Sequence, residues 1–362
     1  ARPVILCGPA DVRSSMFVDA LNELAERSGA VILAEASSQF RCWSGSRALG
    51  AFDTIWRTES GRAMCLPDFV LQLGATPTSN GWEQLCATTE IPRIVVHPWE
   101  WADPSSNAEA IVQADIGSFL TALRKAEYDL SRRDPEFAAG FEWAESAVWD
   151  EASAILDQAG DALTQAGAAR ALVDALPDPS ALVLGNSLPI RDVDTWVPPS
   201  EKLLAVYSQR GVSGIDGVVS GAAGVASWVE RATTLLIGDV SFLHDINGLQ
   251  LASRLIGPMV VVVVNNGGGR IFEQLPIARD GNEHWLPFFT TPHDADLESA
   301  AALYGCEFHS ADTVTGFREA LEVAYAREGC TVIEAVVPSQ SALEQGRALT
   351  SRVERALRRE AS

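Results

Sequence analysis

Asp239 and Asn266 are the residues whose type and spacing point most directly to chemistry. Asp239 ends the apolar run TTLLIGD (233–239), and Asn266 ends MVVVVVNN (259–266). A carboxylate and an amide oxygen form a hard, oxygen-only pair of the kind Mg²⁺ (or Mn²⁺) takes. The ion fills the rest of its shell with phosphate oxygens and water. The offset, 266 − 239 = 27 residues, fits a strand, a crossover helix of about three or four turns and a second strand, which sets both side chains on one rim. A carbonyl from Gly267, Gly268 or Gly269 can join, because a residue without Cβ lets the backbone come close. A helix starting near Ser241 offers free N–H groups to the same phosphate. The stretch fits a holder of Mg²⁺ and a diphosphate. Each part alone has a plainer account: Asp after Gly at a strand end is often a helix N-cap, and NNGGG is often just a loop.

The elements that must position this pair follow a simple rhythm. Apolar strands at 4–8, 31–36, 69–74 and 93–99 alternate with helical stretches; one helix covers Phe17 to Leu24 with a stop at Gly29, and Asn107 to Leu123 reads as a closing helix. A charged segment at 128–140, carrying Pro135 and Gly140, marks a boundary. A long Ala-rich helical stretch, Phe141 to Leu176, leads to strands at 181–187, 202–208, 233–239, 259–266 and 330–337. Strands alternating with helices mean parallel sheets covered on both faces. The fold class is therefore α/β, two doubly wound parallel-sheet domains, residues 1–135 and 136–362. Ligands bind such sheets at the carboxyl ends of the strands. The Arg-rich end of the last helix, Ser341 to Glu360, reads as a solvated tail.

The composition narrows the partners. The 362 residues carry a net charge of −21, which argues against nucleic acid and anionic membranes. An anionic substrate would need a local basic island, and only Lys125 and Lys202 are lysines, so arginines must supply it. No apolar run reaches the roughly 18 residues of a membrane span. The six cysteines show no metal-ligand spacing and read as thiols of a reducing cytoplasm. The start, ARPVILCG, has no Met; it reads as a cut inside a longer polypeptide or a processed start.

"GD" followed at this offset by "NN" resembles the binding motif of thiamine diphosphate (ThDP) enzymes. With GNSLPIRDVD (185–194), SQRGVSGIDG (208–217), GDVSFLHDINGL (238–249), NNGGGRIFEQLP (265–276) and DPSSNAEAIVQADIGSFL (103–120), the chain resembles one family across nearly its whole length. That family is the 2-succinyl-5-enolpyruvyl-6-hydroxy-3-cyclohexene-1-carboxylate (SEPHCHC) synthases, MenD, of menaquinone biosynthesis. The resemblance implies a central transhydrogenase-like domain followed by a diphosphate-binding domain. It also implies a reaction in which 2-oxoglutarate is decarboxylated on ThDP and the succinyl carbanion adds to isochorismate. Both substrates carry two carboxylates, which suits arginine forks. By resemblance, Ser187, Arg191 and Arg210 contact substrate, and Ile271, Phe272 and Leu275 form an apolar wall. Ile215 props the bent cofactor. Asp239, Asn266 and the carbonyl of Gly268 hold the metal, and Ser241 lies beside the diphosphate.

The chain departs from the family pattern in three places. Nothing matches the N-terminal pyrimidine-binding domain, so the resemblance implies pairing with such a domain, in a homo-oligomer or from another chain, and little activity alone. Asn80 and Gly81 stand where relatives usually carry Lys or Lys-Arg, and Gly267 where many have a third Asn. Two other readings stay open at this point: another ThDP-dependent 2-oxoacid decarboxylase or synthase, and a non-catalytic ThDP-binding module. His244 also has two readings, an acid/base or a solvent-facing residue, whereas His293 in TTPHD reads as loop structure.

Overall fold

The computed structural model describes residues 1–11, 14–126, 134–279 and 286–360. The chain divides into two compact units: Ala1–Ala154 with Pro198–Leu203 and Ala348–Ser362, and Ile155–Val197 with Leu204–Arg347. Of the segment where the sequence suggests a boundary, residues 128–133 lie outside the described residues.

The first unit is built on five parallel strands, β1 (Pro3–Cys7), β2 (Val31–Ala34), β3 (Phe69–Leu73), β4 (Arg93–His97) and β5 (Ala110–Gln113), in the order β2-β1-β3-β4-β5. Val4, Ile5 and Leu6 are all buried, as expected for a strand covered on both faces. The helix Ser15–Ser28 buries Val18, Leu21, Leu24 and Ala25, one stripe at helical spacing. It stops at Gly29, whose left-handed φ of 69° lets its N–H donate to the Ala25 carbonyl.

The second unit carries β6 (Ser180–Leu184), β7 (Leu204–Ser208), β8 (Thr233–Gly238), β9 (Met259–Asn265), β10 (Glu307–Ala311) and β11 (Cys330–Val336). All are parallel, in the order β10-β11-β9-β8-β6-β7. Met259 through Val264 are buried in the middle of the sheet. From β6 the chain steps outward to β7, and from β8 it steps the other way to β9. The order reverses between β6 and β8, and their carboxyl ends form the crevice that such sheets use for ligands. The α/β class with two parallel sheets is thus as the sequence predicts.

Four local expectations need correction. The closing helix expected at 107–123 is strand β5 followed by the helix Ile116–Lys125, capped where Asp115 accepts from the Ser118 N–H at 2.7 Å. β5 satisfies the backbone groups along β4 that a helix would have left bare. The long helix expected from 141 to 176 is two, Pro135–Ala159 and Gln165–Ala175, broken at Gly160 (φ 61°) and restarted by Thr164, whose hydroxyl accepts from the Gly167 N–H. The crossover from β8 to β9 is no single helix but Asp239–His244, a 3-10 turn at Ile246–Gly248 and Leu249–Ala252. Asp245 breaks it, leaving helical geometry so that its buried carboxylate can accept from the Ser220 N–H (2.7 Å) and hydroxyl (3.1 Å). The last helix, Ser341–Glu360, is no solvated tail: Leu349, Val353 and Leu357, four residues apart, are fully buried, and Glu354 accepts from the Ser60 N–H and hydroxyl. Among the described residues no helix is long and apolar enough to cross a membrane.

Candidate active site

Asp239 is the first residue after β8 and opens the helix Asp239–His244, two residues before the start expected at Ser241. Its carboxylate is almost fully buried. Oδ1 accepts from the Val240 N–H at 2.7 Å, and Oδ2 from the Gly268 N–H at 2.8 Å. The second bond ties the end of β8 to the loop after β9, so the two strand ends share one rim. Ser241 lies buried in the same helical turn.

Asn266 follows β9 and is also buried. Its Nδ2 donates to Gln165 Oε1 at 2.8 Å, while its Oδ1 has no hydrogen-bond partner. A buried amide oxygen without a partner costs on the order of 1–3 kcal/mol. An oxygen-seeking cation removes that cost, and Asn266 follows the strand next to the one that Asp239 follows. Asp239 and Asn266 therefore fit a Mg²⁺-type ion. Gly268 has φ 131°, and a Cβ there would lie 2.3 Å from the Thr290 carbonyl, so only glycine passes. The Gly268 carbonyl accepts from the Arg270 N–H at 2.9 Å and keeps a second lone pair for an ion. Among the described residues no group of three His, Cys, Asp or Glu side chains is gathered for a metal. The donor set here is of mixed oxygens, which suits a hard cation.

The arginines expected to meet carboxylates sit on the neighbouring strand ends. Ser187, between β6 and the helix Leu188–Trp196, holds φ 72°, a strained setting for a residue with a Cβ. Its carbonyl accepts from Arg191 Nη1 at 2.7 Å. Arg210 Nη1 donates to Asn186 Oδ1 at 2.8 Å, and Asn186 Nδ2 in turn donates to the carbonyls of Gln209 and Gly214. Asn186, 2 % exposed, thereby pins the loop that carries the half-buried Ile215. Ile271 is half-buried; Phe272 and Leu275 are exposed, and Phe272 stacks edge-on against Phe289 at 5.6 Å. The structure joins Asp239 to Gly268 and Arg210 to the β6 end. Residues 280–285, just past the apolar wall, lie outside the described residues.

Three residues that the sequence reading left out belong to this site. His293, read as loop structure, lies with its Nε2 3.3 Å from Asp239 Oδ2, and its Nδ1 accepts from the Ala295 N–H. The close passage of Thr290 over Gly268 brings it there, since the Gly269 N–H donates to the Thr290 carbonyl at 2.6 Å. Gln165 and Asp192 stand behind Asn266, with Gln165 Nε2 donating to Asp192 Oδ2 at 2.8 Å. The Pro-His pair lies 293 − 269 = 24 residues past Gly269, so sequence alone carried little signal for His293. Gln165 carried none, being 101 residues away from Asn266. His244, weighed above as an acid/base, is exposed at the last turn of its helix.

Comparison with known proteins gives the following likenesses. Residues 199–335 match the family model "Thiamine pyrophosphate enzyme, C-terminal TPP binding domain". The chain is similar to curated SEPHCHC synthases. It is 41% identical over 353 residues to that of Sorangium cellulosum, covering 93% of this chain and 57% of the relative. Identity is 33% to the enzyme of Myxococcus xanthus (97% of this chain, 59% of the relative) and 34% to that of Halobacterium salinarum (98% and 59%). The chain thus spans a little over half the length of the curated relatives it matches. Among solved structures, an enzyme from Mycobacterium smegmatis, provisionally assigned as thiamin diphosphate-dependent, superposes with TM-score 0.61. It is 19% identical, over 93% of this chain and 62% of that one, and supports the fold.

Proposed function

We propose that this chain is part of a SEPHCHC synthase that uses ThDP and a divalent cation to decarboxylate 2-oxoglutarate and transfer the succinyl unit to isochorismate, in menaquinone biosynthesis. The observation that carries the reading is the buried pair at the ends of the neighbouring strands β8 and β9, Asp239 and Asn266 with its unpartnered Oδ1, within a chain similar to these synthases. Asp239, Asn266 and the Gly268 carbonyl would hold Mg²⁺ or Mn²⁺ against the diphosphate. When bound, ThDP supplies the electron sink that lets a 2-oxoacid lose CO₂.

The chain's own residues bind and orient. Arg191 and Arg210 supply positive charge for substrate carboxylates on an acidic body, and Ser187 is held beside them by its bond to Arg191. Phe272, Leu275 and Ile271 offer the apolar wall that keeps water from the reacting centre, and Ile215 supports the folded cofactor. The proton transfer that activates the cofactor is assigned to a pyrimidine-binding domain not contained in these 362 residues. A cytoplasmic setting fits the six cysteines, none of which forms a disulfide.

The test is calorimetry and turnover. Wild-type chain should bind ThDP only with Mg²⁺, and Asp239→Ala should not bind it. Turnover of 2-oxoglutarate and isochorismate should appear when a relative's pyrimidine-binding domain is added. Unchanged ThDP binding by Asp239→Ala would overturn the site. Turnover of 2-oxoglutarate with an acceptor other than isochorismate would shift the reading to another ThDP-dependent synthase.

A further inference from the structure

Three buried side chains form a line behind the proposed cation position. Asp192 Oδ2 accepts from Gln165 Nε2 at 2.8 Å, and Gln165 Oε1 accepts from Asn266 Nδ2 at 2.8 Å. Asn266 Oδ1 is left with no partner. Exposures are 7 % for Asp192, 2 % for Gln165 and 7 % for Asn266, so water does not compete for these bonds. The three residues come from the helices Leu188–Trp196 and Gln165–Ala175 and from the end of β9.

The line has a direction. An amide has a donor end and an acceptor end of nearly equal shape, so either amide fits its slot turned by half a rotation. An ionised carboxylate has only acceptors. Facing Asp192, Gln165 must present its NH₂ group, which leaves its oxygen toward Asn266. Asn266 must then present its own NH₂ group to Gln165, which leaves its oxygen facing the site. Burial pushes the Asp192 carboxyl up, against the Gln165 bond and the Arg191 charge, to about 7; at pH 8 it is ionised.

We propose that Asp192 and Gln165 are positioning residues that fix the polarity of Asn266, so that an oxygen rather than an NH₂ group meets the cation. Turned the other way, Asn266 would aim two N–H donors at Mg²⁺. A charge two side chains away thus decides whether the ligand is a ligand. The inference rests on the cation site proposed above, and its test separates the two.

The experiment is a Mn²⁺ titration of the purified chain with ThDP at pH 8, followed by electron paramagnetic resonance, with the metal-free melting temperature as a second readout. Asp192→Leu and Gln165→Leu each free the Asn266 amide to turn and should weaken Mn²⁺ binding by roughly 10–100-fold, the usual cost of losing a group that orients a metal ligand. Asp192→Asn, which can face Gln165 by either end, should weaken it less. The decisive variant is the exchange Asp192→Asn with Gln165→Glu. Its carboxylate now faces Asn266 directly and can only accept, so polarity is restored and affinity should return to within a few-fold of wild type. A purely structural role for the line would shift the melting temperature without that loss and rescue of Mn²⁺ affinity. Wild-type affinity in Asp192→Leu and Gln165→Leu, with binding lost in Asp239→Ala, would overturn the inference and leave the site standing. Binding retained in Asp239→Ala, or absent from the wild-type chain, would overturn the site and the inference with it.

Discussion

The two units each bury a polar cluster, and they complete its hydrogen bonds in opposite ways. In the first unit, the buried Arg93 forms an ion pair with Asp103, donates to Gln72 Oε1 and Asn107 Oδ1 at 2.6 Å each, and lies 5.7 Å from the Trp82 ring centre. Asp103 accepts in addition from the backbone of Asn107 and Ala108. In the second unit, Asp239 and Asn266 are as deeply buried, yet Asn266 Oδ1 has no protein partner. A closed network stabilises a fold. One that lacks a single acceptor's partner reserves that position for something else. The difference shows that depth of burial does not mark a site; nor does an unfilled bond alone, since Ser37 Oγ and Thr78 Oγ1 in the first unit are unpartnered too, but at Asn266 it falls on the rim that also carries Asp239.

The sharpest way to break the comparison is Asp239→Ala. It should abolish cation-dependent ThDP binding in calorimetry while leaving the chain folded by circular dichroism, since it removes the one carboxylate of the loop pair. The converse is Arg93→Ala, which strands a buried carboxylate. Chemical denaturation should show a loss of about 3–5 kcal/mol, with ThDP and Mg²⁺ affinity unchanged in the protein that remains folded. A smaller effect is expected at the site's positive rim. With a pyrimidine-binding domain added, Arg191→Ala or Arg210→Ala should lower kcat/KM by the equivalent of about 1.5–3 kcal/mol, whereas wild-type kinetics with both substrates would deny these residues a recognition role.

The smallest effect is a pH dependence. Burial pushes the Asp103 carboxyl up, but the bonds from Ala108, Arg93 and Asn107 outweigh it and hold the carboxyl below its ordinary range. Its stabilisation is therefore present above the unfolded value of about 3.9 and fades as pH falls through the lower, folded value. Thermal melts of Asp103→Asn should lose less stability than wild type between about pH 4 and pH 2; equal slopes would remove Asp103 from the acid transition.

What the sequence disclosed follows the physics of each element. Strands such as Met259–Asn265, apolar at nearly every position, stood out because they are covered on both faces. β5 and β10 did not, because both lie at sheet edges and mix exposed or polar positions with apolar ones. The Asp239–Asn266 pair was legible because one crossover connection fixes its spacing. Gln165, Asp192 and His293 were not, because only the folded sheet brings them to that pair. The glycine at position 81, where relatives carry a longer side chain by resemblance, also has a local reason. Its N–H donates to Asp53 at 2.9 Å, and a Cβ there would lie 2.4 Å from the Asp53 carbonyl.

The closing helix has a consequence for how the molecule is made. Leu349, Val353 and Leu357 are buried, and Ala348–Ser362 belongs to the same unit as the amino-terminal sheet. That unit holds residues 1–154 and is completed by residues 348–362. On a ribosome the second unit's strands have all emerged before the first unit has its last apolar stripe, since β11 ends at Val336. Folding in order of synthesis, at about 5–20 residues per second, leaves the apolar surface beneath that stripe waiting while residues 155–347 are made.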